Sequence, residues 1–69
     1  MTENEQKIYM LIFNFIREYH YSPSCRELAD ISFYSVKYIH NVLSSLRRKG
    51  FISYQDKKPR TIVLNKITR

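Results

Sequence analysis

The second half of this chain is almost without acid. From Ile31 to Arg69 there is one carboxylate side chain, Asp56, against nine bases: Lys37, Arg47, Arg48, Lys49, Lys57, Lys58, Arg60, Lys66 and Arg69, a net of +8. Residues 1–30 carry five acids (Glu3, Glu5, Glu18, Glu27, Asp30) and three bases (Lys7, Arg17, Arg26), a net of −2. The overall charge of +6 is therefore concentrated in one half. Such asymmetry points to a polyanionic partner, nucleic acid or an anionic membrane surface.

Other things are scarce too. Cys25 is the only cysteine, which excludes an internal disulfide and fits a reducing compartment. No long hydrophobic run exists. The apolar stretch Ile8–Ile16 contains Asn14 and is too short to span a bilayer. It follows Glu3 and Glu5 rather than a basic segment, so it does not read as a signal peptide. These features suggest a soluble, cytoplasmic protein that does not use a membrane. Internal repeats, low-complexity segments and interdomain linkers are missing, so residues 1–69 read as one domain. A chain this short buries only roughly 60% of its unfolded surface, which leaves room for a binding module but little for a catalytic cleft. No acid/base or nucleophile constellation is visible, and an enzyme is not expected. Nothing indicates a cofactor or a small-molecule ligand. His20, Cys25 and His40 lack the paired spacing of a metal site. Cys25 itself reads as an ordinary first-turn residue, with no base to activate it.

What is present is helical periodicity with clear punctuation. Thr2 and Glu5 form a capping-box pattern, and Ile8, Leu11, Ile12, Phe15, Ile16 and Tyr19 follow at helical spacing, predicting helix 1 over about 3–20. Tyr9 and Phe13 sit off that stripe, as a cover for the sheet or the C-terminal tail, or as a dimer contact. His20, near the helix end, suits the dipole or the surface. Tyr21-Ser22-Pro23-Ser24 breaks the helix. Ser24 and Glu27 form a second capping box and open a short helix 2 over about 25–31, with Leu28, Ala29 and Ile31 on its buried side. Ser32-Phe33-Tyr34 is a turn. Ser35 caps helix 3, which runs to about Lys49 and stops at Gly50.

Helix 3 carries the strongest signal. Ile39, Val42, Leu43 and Leu46 line one face, while Ser35, Lys37, Tyr38, His40, Asn41, Ser44, Arg47 and Arg48 occupy the other. Solvent-facing helices usually mix Glu with Lys, because such pairs stabilise them. A face without acid is simplest to understand as one that meets a polyanion. Phe51–Tyr54 and Thr61–Leu64 then read as two strands around a basic turn, Asp56–Arg60. A lone hairpin is unstable in water. It must lean on the helices, with Ile52, Ile62 and Leu64 against Leu11, Phe15, Leu43 and Leu46. The fold class is mainly α with a small β-hairpin: a winged helix-turn-helix of three helices and a two-stranded wing. The aromatic residues read mainly as core, not as a stacking platform for single strands.

Three segments, "SPSCRELAD", "VLSSLRRKGFI" and "KPRTIVL", together resemble the DNA-binding domain of LexA-type repressors over about residues 5–64. The chain departs from that family in places. The turn before helix 3 is one residue shorter, Phe33 stands where those turns usually have glycine, and position 36 is Val. Tyr38, His40 and Asn41 make an unusual reading surface. No self-cleaving, dimerising domain follows within the 69 residues, which suits an excised domain or a small stand-alone regulator of the kind phages and mobile elements carry.

The resemblance implies a regulator of double-stranded DNA, a repressor in the first reading. By helical register and by resemblance, Ser35, Lys37, Tyr38, His40 and Asn41 would face base edges in the major groove. Ser22, Ser24, Arg26, Ser44, Arg47, Arg48, Lys49, Lys57, Lys58 and Arg60 would meet the DNA backbone. Tight operator binding by so small a module suggests a homodimer on a two-fold site. The competing reading is a winged-helix protein-interaction module, with Tyr9, Phe13, Tyr38 and Tyr54 exposed. RNA binding is a lesser third.

Overall fold

A computed structural model of the chain describes residues 1–65. Helix α1 spans Glu3–Tyr19, α2 Cys25–Ser32 and α3 Val36–Arg48. Strands β1 (Ile52–Ser53) and β2 (Val63–Leu64) pair antiparallel, Ile52 opposite Leu64 and Ser53 opposite Val63. This is the three-helix, two-stranded winged helix-turn-helix that the periodicity predicts.

Local chemistry sets the helix ends. Both capping boxes form completely: Thr2 Oγ1 accepts from Glu5 N–H while Glu5 accepts from Thr2 N–H, and Ser24 and Glu27 repeat the arrangement. Ser35 Oγ caps α3 by accepting from Tyr38 N–H at 3.1 Å. At the other end of α3, Phe51 N–H donates to Leu46 O and Gly50 N–H to Arg47 O, a Schellman closure. It needs a left-handed residue, and Gly50 supplies it at φ 86°. His20 takes that left-handed role for α1 at φ 63°, and Phe33 for α2 at φ 64°.

Ile8 and Ile12 of α1, Leu28 and Ala29 of α2, Ile39, Val42, Leu43 and Leu46 of α3, and Ile52 and Ile62 of the wing form one core. Leu11 and Leu64 pack partly against it, as expected. Several expectations require correction. Phe15 stays outside this cluster and stacks instead on Tyr19 and Tyr21, with ring centroids 4.6 and 5.5 Å away. Ile31 is 46% exposed rather than buried. Leu28 and Ala29 define the inner face of α2, and Ser32, not Ile31, falls between them on the helix circumference. Tyr9 packs partly against the core, while Phe13 is exposed.

The paired strands are shorter than predicted. Ile62 N–H donates to Ser22 Oγ at 3.0 Å, and Gln55 N–H to Thr61 Oγ1 at 2.9 Å. Side chains therefore take the partners that a longer ladder would use. Arg60 fastens the wing further. Its guanidinium donates to Glu27 Oε1 at 2.8 Å and to Ser22 O at 3.3 Å, and lies 4.9 Å above the Tyr21 ring. No helix among the described residues is long and apolar enough to cross a membrane.

Candidate nucleic-acid interface

Packing of Ile39, Val42, Leu43 and Leu46 inward leaves Lys37, Asn41, Ser44 and Arg48 as an outward row at i, i+4, i+7 and i+11. All are exposed, and among the described residues none makes a side-chain hydrogen bond or ion pair within the protein. His40 flanks the row on the side of α2, its Nδ1 3.9 Å from Cys25 Sγ. Burial pushes the Cys25 thiol pKa up, so it favours the neutral form. Ser35 is exposed at the head of the row, its hydroxyl committed to the α3 cap.

The wing stands beside this row. His40, Leu43, Lys57, Lys58 and Ile62 line a common cleft of about 310 Å³ between α2, α3 and the wing loop. Lys57 and Lys58 are exposed at the wing tip. Arg47 links helix and wing: its guanidinium donates to Asp56 Oδ1 at 3.0 Å and sits 4.2 Å over the Tyr54 ring. The only acid of the basic half is thus held by an arginine.

Other side chains expected at the interface turn inward. Tyr38 is half-buried against α1, its ring 4.8 Å from that of Tyr34 and its hydroxyl accepting from Asn4 Nδ2 at 2.9 Å. Lys49 reaches across to Glu5, with Nζ–Oε distances of 2.8 and 3.1 Å. Ser45 Oγ also donates to Glu5. These donors, Lys49 first, pull the Glu5 pKa from 4.5 down to about 2. Ser22 closes the wing, Ser24 caps α2, and Arg60 is paired with Glu27. The Glu27 carboxyl pKa is lowered, first by the backbone N–H of Ser24 and then by Arg60. Arg26 stays exposed on the first turn of α2. Of the described cations expected at the interface, those without an ion pair are thus Arg26, Lys37, Arg48, Lys57 and Lys58. Sequence reasoning missed the Glu5–Ser45–Lys49 network and the Asn4–Tyr38 contact. Glu5 was legible only in its capping role.

Residues 1–61 match the family model of the LexA DNA binding domain. The chain belongs to that family. It is also 35% identical over 66 residues to the LexA repressor of Thermosipho melanesiensis. That alignment covers 96% of this chain and 33% of the relative, so the LexA-type domain here spans about a third of that repressor's length. His40 and Leu43 of α3 and Lys57 and Lys58 of the wing tip border one cleft.

Proposed function

We propose that this domain is a sequence-specific double-stranded-DNA-binding transcriptional regulator, acting as a repressor, with α3 in the major groove and the wing on the backbone. One observation carries the reading. Lys37, Asn41, Ser44 and Arg48 form an exposed row, unpartnered among the described residues, on a helix with no carboxylate. Phosphates and base edges supply the acceptors that such a helix otherwise lacks. The major groove is wide enough for a helix and displays a distinct pattern for each base pair. In this arrangement Asn41 pairs bidentately with adenine and Lys37 donates to guanine. Ser35 and His40 meet flanking edges. Arg26, Arg48, Lys57 and Lys58 neutralise phosphates and set the register.

Blocking a promoter requires only occupancy, and the relative's name, LexA repressor, supports that outcome. A single module of this kind buries roughly 600–1,000 Å² on DNA, so tight binding favours two copies on a two-fold site. The protein-interaction alternative draws less support. Tyr9, Tyr38 and Tyr54, three of the four aromatics it would expose, are half-buried.

Selection of bound sequences from a random duplex pool, followed by gel shift at two salt concentrations, tests the proposal. An enriched motif with two-fold symmetry and an affinity that falls steeply with salt is the expected result. Salt-insensitive retention, or no enrichment together with a stable complex to another protein, would reverse it.

A further inference from the structure

Phe33 is anomalous in two ways. It is 94% exposed, the most exposed of the large apolar side chains among the described residues. It also holds a left-handed backbone, φ 64°, which L-residues with a Cβ adopt at a cost. Its N–H donates to Ala29 O at 2.9 Å, so Phe33 is the left-handed residue that ends α2. In such closures this position often makes an apolar contact back to the helix. The Phe33 ring, almost wholly in solvent, makes little of one. Glycine would serve the turn better, and an exposed phenyl does nothing for the core.

Location suggests what the ring is for. Phe33 lies two residues before Ser35, the cap of the helix assigned to the groove. Val36, in the first turn of α3, is also exposed at 41%. An apolar edge therefore adjoins the N-terminal end of the polar row, the end that enters the groove first in helix-turn-helix complexes. The major groove offers one apolar feature to such an edge, the 5-methyl group of thymine. A protein partner fits less well. One aromatic residue covers about 150–250 Å², and half-exposed Ile31 and Val36 beside it leave the patch well short of the ~800 Å² per partner of a stable interface.

We propose that Phe33 is a specificity-determining residue that contacts a thymine methyl group at the edge of the recognised site. The inference rests on the duplex-DNA reading above, and it adds a residue outside α3 to the reading surface. The test uses a duplex selected by the wild-type protein, with each thymine in turn replaced by deoxyuridine, which removes only the methyl group. At one position this should weaken wild-type binding by about fourfold, the effect of one buried methyl. Phe33→Gly and Phe33→Asn both suit a left-handed turn and should bind thymine and deoxyuridine duplexes equally. They should also lose the same factor on the selected site, with random-duplex binding unchanged. Variants that remain as sensitive to the methyl group as wild type would overturn the assignment while leaving DNA binding intact. Unchanged DNA affinity with loss of a dimer in sedimentation would overturn it in favour of a protein contact. A wild-type protein that binds no duplex at all would overturn both readings.

Discussion

Individual side chains divide into those the fold uses and those it leaves free. Tyr38 and Asn41 lie three residues apart on α3, yet one is tied to Asn4 and the other has no partner among the described residues. Asn41→Ala should relax base preference at one position, costing roughly 1–3 kcal/mol on the selected site and little on random duplex. Equal losses on both would show a backbone role instead. Phe33 adds a stability prediction independent of DNA. A left-handed non-glycine residue costs about 1–2 kcal/mol, and glycine gives back roughly half of that through its unfolded-state freedom. Phe33→Gly should therefore raise the melting temperature by about 2–8 °C. A fall would mean that the ring makes stabilising contacts.

At the scale of elements, the wing has a root and a tip with different tasks. Its root is bound by Arg60 to Glu27, by Ile62 N–H to Ser22, and by Arg47 to Asp56. Its tip presents Lys57 and Lys58 to solvent. Replacing both lysines with alanine should reduce the salt slope of DNA binding by about 2, with stability changed by less than about 0.5 kcal/mol. Arg60→Ala should behave the opposite way. It should lower stability by up to about 1 kcal/mol, since the ion pair is partly exposed, and leave the slope nearly unchanged. Titration of binding against salt for the three proteins, with thermal melts, separates the roles. A slope that falls by one unit in Arg60→Ala would place its guanidinium on DNA.

For the whole molecule, the Glu5–Ser45–Lys49 network ties the start of α1 to the end of α3. Glu5 has a folded-state pKa of about 2 against an ordinary 4.5. A carboxyl with a depressed folded pKa contributes stability that is present above its unfolded value and lost as pH falls through the folded one. Stability should therefore decline between about pH 4.5 and pH 2, and Glu27 adds to the loss in the same direction. Glu5→Gln should be less stable at neutral pH and should flatten that decline, as measured by denaturant melts across pH. An unaltered acid profile in Glu5→Gln would assign the decline to other carboxyls.

The amino-acid sequence by itself determined the three helices, their N-caps, the glycine stop of α3 and its inward stripe. These depend on bonds and faces within about four residues, such as Thr2 with Glu5, Ser24 with Glu27, and Ile39 with Leu43. The acid-free outer face of α3 was legible for the same reason. Only the tertiary structure decided which cations remain free and how far the strands pair. Lys49 and Glu5 lie 44 residues apart, and Ser22 and Ile62 lie 40 apart. No local pattern marks such partners. They meet because α1, α2, α3 and the wing close around one small core, and the closure spends some charges inside the protein and leaves the others for a partner.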